Sequence, residues 1–132
     1  MSGQKSDVNA KRDTINIFKI GSLWCFKYFF GDRELFVGLS EYYNRDKYRF
    51  ELKNVGERNK VMKSFEEKGF ETTLIEDTAE YTVKIDRFKK YAPILRNSID
   101  PTEGEKERVF IMKDLASVEE AIAKGAEKIT NL

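Results

Sequence analysis

The chain has 132 residues, enough for one packed core and too few for two. Its 36% charged residues exceed an average soluble domain's share, while 40% apolar content is too high for a disordered chain. Lys and Arg number 24 against 23 Asp and Glu, which excludes a global positive field, so any basic face must be local. Residues 1–60 hold 12 basic and 8 acidic groups (+4), and residues 61–132 hold 12 basic and 15 acidic groups (−3).

The first twelve residues mix Gly, Ser, Gln, Asn and charges without apolar periodicity and read as a disordered tail, leaving 13–132 as a single α+β domain. Residues 13–20 alternate as a short strand ending at Gly21. Ten of the seventeen aromatic residues then fall between Trp24 and Phe50. With Gly31-Asp32 as a two-residue turn, a hairpin pairs Tyr28 with Leu35, Phe26 with Val37 and Trp24 with Leu39. A second turn at Arg45-Asp46 sets Tyr43 against Tyr48 and Leu39 against Leu52.

In this register one face collects Trp24, Phe26, Tyr28, Leu35, Val37, Leu39, Tyr48, Phe50 and Leu52 as core. The reverse face carries Cys25, Lys27, Phe29, Phe36, Tyr42, Arg49, Glu51 and Lys53. Leu35, Phe36, Leu39, Tyr42 and Tyr43 also fit helical spacing over 32–44, but strands are the preferred reading.

Beyond this point Asn54 and Glu57 form a capping box for a helix over 55–68, with Val61, Met62 and Phe65 as its apolar stripe. Residues 70–77 and 80–86 read as a further hairpin. Residues 87–97 carry a helical stripe bent or started at Pro93, and 100–107 read as a polar loop. A strand over 108–112 precedes a helix capped by Ser117 and Glu120, with Val118, Ala121, Ile122, Ala126 and Ile129 inward. No internal repeat is evident. The expected fold is α+β, a mainly antiparallel five- or six-stranded meander sheet with about three helices.

Histidine is absent, which closes Ser-His and Cys-His nucleophile schemes, and the sole cysteine, Cys25, lies between Trp24 and Phe26 where burial makes a thiol inert. No internal disulfide can form, and no early segment reads as a secretory leader, so the expected location is cytoplasmic. No apolar run approaches the roughly twenty residues a membrane span needs. Scarce His, Gln and Cys with abundant Lys and Glu resemble thermophile composition, although seven Asn run against it. The acids Glu76, Asp77, Glu80 and Asp86 make only a weak cation site, and phosphate-loop, dinucleotide-turn, CxxC and EF-hand motifs are missing. The expectation is a protein without catalytic activity, cofactor or metal.

The aromatic-basic face carries the one specific chemical logic. Single-stranded nucleic acid presents flat bases and a phosphate chain, and rings set between cations meet both. Phe29, Phe36 and Tyr42 are expected to stack bases while Lys27, Lys47, Arg49 and Lys53 meet phosphates. The second basic segment, Arg87, Lys89, Lys90, Tyr91 and Arg96, is expected to wall the groove. The expected partner is single-stranded DNA or RNA. Should helices lie on the reverse face, Phe29 and Phe36 become core instead. The alternative is a protein-interaction or homo-oligomerisation module using Trp24, Phe29, Tyr42 and Tyr43.

Overall fold

A computed structural model describes residues 13–31 and 33–129. The tail expected over 1–12 lies outside the described residues, as does Asp32 of the expected first turn. In chain order the elements are β1 (Thr14–Ile20), β2 (Leu23–Phe26), α1 (Arg33–Leu39), β3 (Tyr43–Asn44), β4 (Arg49–Leu52), α2 (Val55–Glu67) and β5 (Glu71–Ile75). They continue with β6 (Thr82–Asp86), α3 (Ala92–Arg96), β7 (Ser98–Glu103), β8 (Glu107–Met112), α4 (Leu115–Ala123) and β9 (Glu127–Lys128). The class is α+β and the pairing mainly antiparallel. The strands divide into two sheets, ordered β3-β4-β2-β1-β5 and β7-β8-β6-β9, in which only β1 and β5 run parallel.

Alternation along the strands dictates the layers. Ile15, Ile17, Trp24, Phe26, Phe50 and Leu52 point to one side of the first sheet and bury Leu35 and Leu39 of α1 with Val61 and Phe65 of α2. In the second sheet Val83, Ile85, Phe110 and Met112 do the same against Ile94 of α3 and Val118 and Ala121 of α4. The two opposite faces meet each other through Phe18, Cys25, Ile75 and Ile99, with Ile111 packed alongside. The result is four layers, helices outside and two sheets within.

Both halves share one connection. The runs β2-α1-β3-β4-α2 and β6-α3-β7-β8-α4 each trace a split β-α-β, with β4 or β8 hydrogen-bonded between the other two strands. The caps repeat as well: Asn54 accepts from the Glu57 amide (2.8 Å) and Asp114 from the Ser117 amide (2.7 Å). Each long helix ends on a left-handed glycine, Gly69 (φ 90°) and Gly125 (φ 106°), with Phe70 N donating to Phe65 O and Ala126 N to Ala121 O. In sequence only Phe50-x-Leu52-Lys53-Asn54 against Phe110-x-Met112-Lys113-Asp114, and the two Lys-Gly pairs, echo this duplication. That is too sparse to read without the fold.

The structure corrects five expectations. Residues 33–39 form a helix, because β2 already has β1 on one edge and β4 on the other, and no vacant edge remains for them. Helical spacing buries Leu35 and Leu39 together and leaves Val37, placed in the core by the strand reading, 57% exposed. Tyr43 pairs with Phe50, not Tyr48, across a longer turn. Strands β5 and β6 belong to different sheets instead of one hairpin, and residues 98–103 form β7 where a loop was expected. Finally, Asp114 and not Ser117 caps α4, so Ser117 lies buried inside the helix.

Candidate functional site

The reverse face of β2 and β4 is covered at its centre, by the second sheet and not by helices. Cys25 is fully buried there, and burial pushes its thiol up to about 12, so it is an inert apolar filler. Arg49 is 3% exposed and bonds Glu51 (2.8 Å), Asp100 (3.0 Å) and the Ile99 carbonyl (3.0 Å), tying β4 to β7. Its charge is spent inside the protein.

At the margin of that packed centre the two halves part and leave a cleft of about 710 Å³. Residues 27–30, just past β2, form one wall, α1 and the β3–β4 turn a second, and α3 with the start of β7 the third. The cleft is lined by Tyr28, Phe29, Phe30, Phe36, Tyr43, Tyr48 and Phe50, together with Lys27, Lys47 and Arg96. No carboxylate is among its described lining residues.

The rings differ in freedom. Phe30, Phe50 and Tyr43 pack into the first core, with Tyr43 against Phe50 at 4.9 Å and Phe30 against Phe65 at 5.8 Å. Tyr28 is held by its hydroxyl, which donates to Asp13 at 2.6 Å. Phe29, Phe36 and Tyr48 are 63%, 43% and 64% exposed. Tyr48 takes a left-handed backbone (φ 55°), an expensive conformation for an aromatic residue, after a turn in which Asn44 Oδ1 accepts from the Asp46 and Lys47 amides. That geometry turns the ring from the core side, where simple alternation puts it, into the cleft.

The cations meet little that neutralises them. Lys27 Nζ donates to the Arg96 carbonyl (3.3 Å) and makes no ion pair among the described residues. Burial, then the nearby charges of Lys113 and Arg49, hold its ammonium down to about 8. Lys113 Nζ lies 5.9 Å from the Phe29 ring centroid while also pairing with Asp114 at 2.9 Å. Ser98, 2% exposed at the start of β7, also lines the cleft, and its hydroxyl has no hydrogen-bond partner among the described residues. An unmet buried hydroxyl costs about 1–3 kcal/mol.

Of the twelve residues singled out from the sequence, Lys27, Phe29, Phe36, Lys47 and Arg96 come together in this cleft. Tyr42 is half-buried and packed on the first core, and Lys53 is exposed where β4 leads into α2. Arg87 pairs with Glu103 at 3.2 Å, and Lys89 and Lys90 are exposed in the turn after β6. Tyr91 belongs to the second core, its ring between Phe110 (6.1 Å) and the Arg108 guanidinium (4.0 Å). Sequence reasoning missed Ser98 and Tyr48, and named Tyr43 only for the alternative interaction surface. Asn44 ahead of a polar turn is the signal that could have released Tyr48 from the alternating pattern.

No protein-family model, curated protein or solved structure matches the chain. Among the described residues no helix is long and apolar enough to cross a membrane.

Proposed function

We propose that the cleft binds single-stranded DNA or RNA, with Phe29, Phe36 and Tyr48 stacking unpaired bases and Lys27, Lys47 and Arg96 meeting phosphates. The observation that carries this reading is the lining itself: accessible rings and three cations around about 710 Å³, without a carboxylate among the described residues. Free bases supply flat faces to the rings, and the phosphate chain supplies the anion that Lys27 lacks. Duplex DNA stacks its bases on one another and offers the rings nothing comparable.

Polarisation of labelled twelve-nucleotide strands tests it. Micromolar or tighter binding is expected at low salt, with log affinity falling against log salt at a slope of about −2, roughly 0.7 for each of three phosphate contacts. No binding at micromolar protein and low salt overturns the reading.

A protein partner or a second copy of the chain is the competing occupant, favoured by Val37 standing 57% exposed beside Phe36 on α1. Light scattering that reports a stable dimer, abolished by Phe36→Asp or Val37→Asp, would promote that alternative.

A further inference from the structure

We propose that a bound strand does not end at the cleft but continues along α3 to the turn after β6, where Phe88 stacks a further base and Lys89 and Lys90 meet its phosphates. The proposal rests on the nucleic-acid reading above and adds to it a second contact outside the cleft.

The turn holds its ring out in water. Phe88 is 89% exposed, the highest exposure among the large apolar side chains described. Its amide donates to Asp86 Oδ1 (2.9 Å) and the Lys89 amide to the Asp86 carbonyl (3.1 Å), so the backbone beneath the ring is fixed locally. A lone exposed aromatic is ordinary on a protein surface. What sets this one apart is the charge beside it: Lys89 and Lys90 are exposed and make no ion pair among the described residues. The acid closest by contact, Glu103, is engaged by Arg87 (3.2 Å) and Arg108 (3.3 Å). Glu105 and Lys106 of the adjoining β7–β8 turn offset each other in charge.

Helix α3 joins this turn to the cleft. Ala92 and Arg96, one helical turn apart, both line the cleft, so its wall runs along α3 toward the end from which the chain leads back to Phe88. Four residues separate Phe88 from Ala92, a reach of at most about 14 Å. About four nucleotides at a stacked rise of about 3.4 Å cover that distance. Leu95 and Pro101 line both the cleft and a smaller space that Glu103, the partner of Arg87, also lines. A ring between lysines suits an anionic membrane surface as well, but a cleft of rings and cations within this reach favours the strand.

Polarisation of labelled oligo(dT) twelve-mers tests the second contact. The cleft's three cations by themselves give a salt slope of about −2, and the two lysines add roughly 0.7 each, so the slope should reach about −3.5. The double variant Lys89→Ala, Lys90→Ala should return it to about −2. Phe88→Ala and Phe88→Leu should each weaken binding about tenfold with the thermal melt unchanged, and Phe88→Trp should hold the affinity, because a ring and not bulk is required.

A wild-type slope near −2, an affinity that Phe88→Ala leaves intact, or equal affinities of the Leu and Trp variants overturns the second contact and leaves the cleft reading standing. Binding to phosphatidylserine vesicles that Phe88→Ala abolishes, with strand binding unchanged, likewise overturns it and assigns the turn to a membrane surface. Failure of the twelve-mer to bind at micromolar protein and low salt overturns both readings together.

Discussion

Two halves built on one connection treat the same location differently. In the first, Tyr43 pairs with Phe50 and the turn residue Tyr48 swings out, so the space beside α1 stays open and ring-lined. In the second, Pro101 pairs with Phe110 in the corresponding register, and Arg108 folds over Tyr91 at 4.0 Å, leaving beside α3 a smaller space of about 240 Å³ that Glu103 also lines. The fold by itself is therefore indifferent to binding. What distinguishes the halves is whether the aromatic beside the hairpin is capped from within the chain or left for something outside it.

The largest effect is expected from separating the halves. Arg49→Leu strands Glu51 and Asp100 at the sheet–sheet contact, and removing one member of such a buried group should cost about 3–5 kcal/mol in chemical denaturation. An equally stable variant would mean that the apolar contact of Phe18, Cys25, Ile75 and Ile99 suffices. Phe29→Ala sharpens the contrast from the other side. Its ring is 63% exposed, so oligonucleotide binding should weaken by about 1–3 kcal/mol while stability moves by less than about 0.5 kcal/mol. Tyr91→Ala, in the capped half, should reverse that pattern, lowering the melting temperature and sparing affinity, because its ring is packed on Phe110.

Smaller effects follow from caps and charge. Asn54→Ala and Asp114→Ala each remove a helix cap and should cost about 1 kcal/mol, equally in both halves if the duplication is mechanical as well as topological. Lys47→Ala should flatten the salt slope by roughly 0.7.

The pH dependence has two windows. Lys27 sits at about 8 when folded against 10.5 for a free lysine, so the unfolded chain binds more protons between those values and stability should rise with pH across them. Oligonucleotide affinity should fall over the same range, since only the ammonium meets phosphate. At the acid end, burial works to raise the Glu51 carboxyl, yet hydrogen bonds from Arg49 and Asn44 outweigh it and hold it below its ordinary value. Its contribution is complete above about 4.5 and is lost as pH falls through the depressed value, which an acid-unfolding titration of wild type against Glu51→Gln would register.

Local chemistry was legible where a few neighbouring residues decide the outcome. Asn54 with Glu57 announced α2, Gly69 announced its end, and alternation sorted Trp24, Phe26, Phe50 and Leu52 onto one buried face. The gathering of rings and cations between Trp24 and Phe50 likewise pointed to the segment that lines most of the cleft.

Other features depended on partners distant in sequence. Leu35 and Leu39 satisfy both a strand and a helix pattern, and the occupied edges of β2 made the choice. Arg49 looked like a surface cation until Asp100, fifty-one positions away, enclosed it. Ser98 is an ordinary serine in the chain, and only the meeting of β7 with the loop after β2 turns it into a buried, unmet hydroxyl. Periodicity and capping act within a turn or two of backbone, so composition and neighbours settle them. Burial and exposure at the cleft depend on which sheet lies across from which, a property that no short stretch of this sequence contains.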